Sequence, residues 1–101
     1  MWSFVMKDIL YYNELYDIYG GLLTEKQRQY FEDYYFDNLS FSEIASNYDV
    51  SRNNAFKQIH NIISKLIEYE EILQLKSKKD KIYKIIEKAP DNIKKEIEEI
   101  L

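Results

Sequence analysis

The sequence predicts an all-α protein, a helix-turn-helix bundle of five to six helices with a helical C-terminal extension. Three observations predict it. Apolar residues recur at spacings of three and four along most of the chain, the period of helices that bury one stripe. Glycine and proline number two and one in 101 residues, whereas a sandwich or barrel needs many turn residues. Thr24 and Ser40 each stand three residues ahead of a Gln or Glu, the spacing of a helix capping box.

The first helix covers residues 5–19, with Val5, Ile9, Tyr12, Leu15, Tyr16 and Tyr19 as its stripe. Gly20 and Gly21 are expected to end it in left-handed backbone. Thr24, boxed with Gln27, starts a second helix that runs to about Asn38, with Tyr30, Phe31, Tyr34 and Tyr35 as its aromatic face. Ser40 and Glu43 cap a short third helix at 40–47, and Leu39 and Ile44 flank the cap as a hydrophobic staple requires. Tyr48-Asp49-Val50 reads as a turn. Ser51 caps a fourth helix that carries Ala55, Ile59, Ile62, Ile63, Leu66 and Leu73 and runs to about Leu75. Lys76 to Lys81 interrupt the pattern, and Ser77 is the expected cap of a fifth helix holding Ile82, Ile85, Ile86 and Ala89. Pro90 stops that helix. A last helix carries Ile93, Ile97, Ile100 and Leu101. With no internal repeat and no linker, residues 1–101 read as a single helical domain, the helix-turn-helix at 40–66 and the extension at 76–101.

Composition narrows the function. The chain is 46% hydrophobic and 32% charged, the balance of a folded protein rather than a disordered one. Cysteine is absent, which excludes disulfides, cysteine-based zinc sites and a thiol nucleophile. No apolar run reaches the roughly 20 residues of a membrane span, and residues 1–10 lack a basic leader and a small-residue cleavage site. A cytoplasmic protein with no membrane partner is expected.

Nothing points to catalysis. No glycine-rich loop can hold a nucleotide. His60 is the one histidine, and no carboxylate lies within four residues of it, so a metal site is not expected. Asp33 and Asp37, with Glu25 and Glu32 nearby, have neither a nucleophile nor a phosphate loop beside them and read as a solvated face. The expectation is a protein that is not an enzyme and that needs no cofactor.

Charge is unevenly spread within the net −4. Residues 1–49 hold three basic and nine acidic groups, residues 50–64 hold Arg52 and Lys57 and no acid, and residues 65–101 hold nine of each sign. Nucleic acid, if bound, is met by a narrow patch. That patch falls on the segment 39–66, LSFSEIASNYDVSRNNAFKQIHNIISKL. A short capped helix, a three-residue turn and a second capped helix form the frame of a DNA-reading helix-turn-helix. Ala45 is small where the two helices approach, and Ile44, Tyr48, Val50, Ala55 and Ile59 fill the angle between them. Asp49 stands at the turn and tolerates left-handed backbone better than most residues. At about 100° per residue the fourth helix turns Asn53, Lys57, His60 and Ser64 away from its apolar side, with Phe56 and Asn61 at the flanks. Asn pairs with adenine, Lys with guanine or phosphate, and Ser with phosphate. Arg52 and Asn53 lie on the first turn, which enters the groove first. Arg52, Asn53, Phe56, Lys57, His60, Asn61 and Ser64 are the candidate contacts to DNA or RNA.

These residues resemble a known class. Leu23-Thr24 with Lys26-Gln27-Arg28, then Tyr34-Tyr35, Ser42-Glu43-Ile44-Ala45, Val50-Ser51-Arg52 and the trailing Glu68-Tyr69-Glu70 are similar to the sigma-factor region 4 helix-turn-helix class. Within it the chain looks most like the YlxM family of small bacterial proteins, from about Leu15 to Tyr69 and more loosely beyond. The resemblance implies a sigma region 4-like fold and a role in, or in regulating, the signal recognition particle pathway, because the family's genes usually lie beside those of its GTPases. It carries over Arg52, Asn53 and Lys57 as recognition-helix contacts; Phe56 and His60 come from geometry. Ala55 is smaller than the Val or Ile common in region 4, and the second helix is acidic; both departures count against tight promoter binding.

A second class of function stands beside the first. The acidic, tyrosine-rich residues 1–38 suit a protein-interaction module that docks a basic partner such as a targeting GTPase or its ribonucleoprotein, with Tyr11, Tyr12 and Tyr35 as candidates for the contact surface. Ile82, Ile85, Ile86, Ile93, Ile97, Ile100 and Leu101 are too many for short terminal helices to leave in water. They are expected to fold back on the first helix or to bury against a second copy, and a homodimer is the favoured outcome.

Overall fold

The computed structural model describes residues 2–101, with side chains from Asp8 onward. It contains α1 (Trp2–Tyr19), a 3-10 turn at Gly20–Leu22, α2 (Glu25–Tyr35), α3 (Phe41–Tyr48), α4 (Arg52–Leu73), α5 (Leu75–Ile86) and α6 (Asp91–Ile100), and no strand among the described residues. Val5, assigned above to the stripe of α1, lies outside the described side chains.

The fold is organised on α4. This helix of 22 residues buries Ala55, Ile59, Ile62, Ile63 and Leu66 along one face. That face meets Leu15 and Tyr19 of α1, Tyr30 and Phe31 of α2, and Ile44 and Ala45 of α3 in a single core. Each fully buried large side chain contributes on the order of 1.5–3 kcal/mol. Leu73 was expected to continue the stripe but is 41% exposed. The position one turn beyond Leu66 is Glu70, and the chain breaks helix at Gln74 before Leu73 can be covered.

Local signals explain most helix ends. The capping boxes at Thr24–Gln27 and Ser40–Glu43 are both formed: Gln27 N donates to Thr24 Oγ1 at 3.1 Å, and Glu43 N donates to Ser40 Oγ at 3.1 Å. The reciprocal bonds run from Thr24 N to Gln27 Oε1 and from Ser40 N to Glu43 Oε1. The expected end of α2 at Asn38 is three residues late. Asn38 has φ 58°, and Leu39 N closes back onto Asp33 O at 2.9 Å, so the left-handed residue lies past the helix rather than in it.

Two expectations about caps are corrected. Gly20 and Gly21 do not adopt positive φ; among the described residues the left-handed ones are Asn38, Asp49 and Gln74. The glycines form the 3-10 turn instead, and a Cβ at Gly20 would sit 3.2 Å from the Tyr16 ring, so Gly20 allows a close approach rather than an unusual dihedral. Ser77 does not cap α5, which begins at Leu75 after left-handed Gln74. The first N–H groups of α5 are satisfied from other helices: Leu75 N donates to Tyr19 Oη at 3.0 Å, Lys76 N to Glu70 Oε1 at 3.0 Å and Ser77 N to Glu70 Oε2 at 3.1 Å. Lys76 Nζ then bridges Asp80 at 2.6 Å and Glu14 at 2.7 Å, tying α5 to α1.

The C-terminal apolar series is only partly covered. Ile86 is buried and Ile82 half-buried, while Ile85 is 72% exposed and α6 buries no residue. Packing of α5 against α1 therefore covers only part of the α5 series and leaves the isoleucine side of α6 open.

Candidate nucleic-acid interface

The α3–turn–α4 unit places the outer face of α4. Asp49, with φ 55° and ψ 47°, ends α3, and Val50 N closes onto Ala45 O at 3.0 Å. Ser51 then turns extended and its Oγ accepts from Asn54 N at 3.0 Å, starting α4. Ala55 is fully buried and Ala45 nearly so, which lets the two helices approach; Ile44 and Ile59 fill the angle, with Tyr48 and Val50 packed at its edge. This is the wedge read from the sequence.

Against that wedge, Arg52, Asn53, Phe56, Lys57, His60, Asn61 and Ser64 are all exposed. Their spacing sorts them into two lines. Asn53, Lys57 and Asn61, each four residues apart, run along the side facing away from the core. Phe56, His60 and Ser64, again four apart, run along the flank that faces α2 and α3. The Phe56 and His60 rings lie nearly parallel, with centroids 6.0 Å apart, and Ser64 Oγ donates back to His60 O at 3.0 Å. Arg52 reaches across to α3, its guanidinium carbon 5.8 Å from the Phe41 ring centroid. No acidic residue occupies the first turn of α4, so the partial positive charge of its N-terminus adds to Arg52.

Several residues at this face were not singled out from the sequence. Phe41 meets Phe56 edge-on at 5.3 Å and stacks on Tyr34 at 4.7 Å, so the flank line of α4 continues onto two other helices. Asn54 is a further exposed polar residue of the first turn and accepts from Gln58 Nε2 at 3.4 Å. Phe41 follows Ser40 directly, at the N1 position of a helix whose core residues are Ile44 and Ala45; that offset was the available signal.

The acidic side is less free than its composition implied. Asp33 Oδ2 accepts from Tyr48 Oη at 2.7 Å, and Glu32 Oε2 accepts from Tyr16 Oη at 2.8 Å. Burial first, and the Asp33 carboxylate second, push the Tyr48 phenol up to about 12. Asp17, Glu25 and Asp37 are exposed. Among the described residues no group of three or more His, Cys, Asp or Glu could hold a metal ion, and no helix is long and apolar enough to cross a membrane.

A short capped helix wedged on a longer one, with a polar outer face that carries no acid from Arg52 to Ser64, defines a helix-turn-helix protein. Sequence comparison places it more closely. Residues 6–101 match the UPF0122 family, described as "Putative helix-turn-helix protein, YlxM / p13 like", and the chain belongs to that family. It is similar to a UPF0122 protein of Halalkalibacterium halodurans, 42% identical over 84 residues that cover 83% of this chain and 77% of the relative. It is 44% identical over 81 residues to one from Geobacillus kaustophilus, covering 80% and 74% of the two chains. A third, from Caldanaerobacter subterraneus, is 41% identical over 86 residues, covering 85% and 74%.

Proposed function

We propose that the chain is a nucleic-acid-binding regulatory protein that contacts DNA or RNA through Arg52, Asn53, Phe56, Lys57, His60, Asn61 and Ser64. The observation that carries this reading is the exposure of all seven on one capped helix, in a stretch without a single carboxylate from 50 to 64. Two cations and the N-terminus of α4 supply the attraction to phosphate, and the amides and imidazole supply groups for base edges. The test is binding of the full chain to labelled DNA and RNA across a salt series. Affinity falls as salt rises, and Lys57→Glu abolishes binding measured at low ionic strength. Absence of salt-sensitive binding to either nucleic acid removes the reading.

The resemblance to YlxM proteins supports a cytoplasmic role within the signal recognition particle pathway, with components of that particle as partners. A second reading is favoured by the exposed Asp17 on α1, Glu25 on α2 and Asp37 just past the end of α2. There the chain is an interaction module that docks a basic targeting GTPase or ribonucleoprotein without reading sequence. Asp37→Lys with Glu25→Lys is the variant to use, because Asp33 holds Tyr48 and its reversal would disturb the fold. Capture of the particle's protein after nuclease treatment, lost in this double variant, supports the second reading; capture unchanged by it counts against that reading. The open isoleucine side of α6 supports a homodimer, which sedimentation of the chain against a truncation at Pro90 tests.

A further inference from the structure

We propose that the aromatic groove walled by α2, α3 and α4 and closed at one end by Tyr12 of α1 receives one unpaired base of a single-stranded nucleic acid. This rests on the nucleic-acid reading above and names the kind of strand bound. The groove has a volume of about 290 Å³, just below the roughly 300–1,000 Å³ found for small-ligand pockets. Its walls are flat rings from three helices: Tyr34 stacks on Phe41 with an interplanar angle of 10°, Phe56 stands edge-on to Phe41, and His60 lies parallel to Phe56. Ile59 and Ile63 form the buried floor.

Three features select a base over other occupants. First, among the described residues no lining side chain is a carboxylate or an ammonium, while the hydroxyls of Tyr34 and Tyr35 and the ring nitrogens of His60 offer hydrogen-bonding groups to a base edge. Second, the Phe41 end of the groove carries positive charge: Arg52 stands against the Phe41 ring, and no acid lies in the first turn of α4. An anionic backbone therefore leaves toward Arg52. Third, Phe56 is 47% exposed on an otherwise polar recognition face, and stacking a base on it removes that ring from water. A base within a duplex cannot enter, since both its faces are already stacked and its pairing edge is taken.

The experiment uses the full chain, a strand of about ten thymidines with one central 2-aminopurine, and the same strand annealed to its complement. Anisotropy reads affinity, and 2-aminopurine emission reads stacking. The single strand binds about 10-fold tighter than the duplex, and its emission is quenched on binding. Phe56→Ala weakens the strand about 10-fold and abolishes the quench without changing the helical circular dichroism, Phe56→Trp keeps both, and Lys57→Glu weakens strand and duplex alike. Unquenched emission, or Phe56→Ala binding as wild type, overturns the base pocket while salt-sensitive, Lys57-dependent binding still upholds the parent reading. Loss of all salt-sensitive binding overturns both.

Discussion

The Tyr19 hydroxyl donates to Glu70 Oε1 at 2.6 Å across 51 residues of chain, and the same oxygen of Tyr19 accepts from Leu75 N. The pair joins α1, α4 and α5 at one point. It substitutes for the side-chain cap that α5 lacks.

Glu70→Ala should cost about 1–3 kcal/mol at neutral pH, because it leaves the N–H groups of Lys76 and Ser77 without their acceptor. Urea unfolding checks it. Burial raises the Glu70 carboxyl, but hydrogen bonds from Tyr19, Lys76 and Ser77 and the Lys76 charge outweigh it, and the net value is lowered. A lowered folded value means the stabilisation is whole above the ordinary glutamate range, about 4.3, and is lost as pH falls through the folded value. The gap between wild type and Glu70→Ala should therefore close under acid.

Tyr48 gives the opposite pH dependence. Its phenol is pushed up to about 12, by burial first and Asp33 second. A raised folded value means stability fully present below the ordinary tyrosine value, near 10, and lost as pH climbs through about 12. Tyr48→Phe should cost about 1 kcal/mol at neutral pH, and its deficit should shrink in alkali, read by thermal melts across pH.

Asp49 bears a left-handed backbone at φ 55°. Asp49→Gly should hold or raise stability, by up to about 1 kcal/mol, while Asp49→Val should lower it by about 1–2 kcal/mol. Equal midpoints for the two variants in urea would contradict the turn geometry.

Ala55→Leu tests the wedge. Ala55 has no exposed surface and faces α3 near Ala45. Added methylenes force the helices apart at a cost of about 1–3 kcal/mol. Reduced affinity for nucleic acid should accompany the lower melting temperature, since Arg52 and Phe41 lie across the same seam.

The sequence made legible what is decided within a turn or two of chain. The capping boxes at Thr24 and Ser40, the left-handed Asp49 and the apolar stripe of α4 all rest on residues three or four apart. Most of what escaped was decided between distant segments. Tyr19 caps α5 from 56 residues away, which no local pattern around Ser77 could reveal. Gly20 is a local exception: it answers to the Tyr16 ring one turn back, a steric demand that looks in sequence like a left-handed cap. The outer residues of α4 followed from angular bookkeeping on one helix, but Phe41 and Tyr34 join that face only because α2 and α3 lean on α4.

One helix, α4, supplies both the largest share of the core and the proposed contact face. A ligand held by Arg52, Phe56 and Lys57 can thus be gripped only by folded chains, since the spacing of those groups vanishes on unfolding. Occupancy should lift the melting temperature of the whole bundle, which turns a simple heating curve into a screen for the natural ligand.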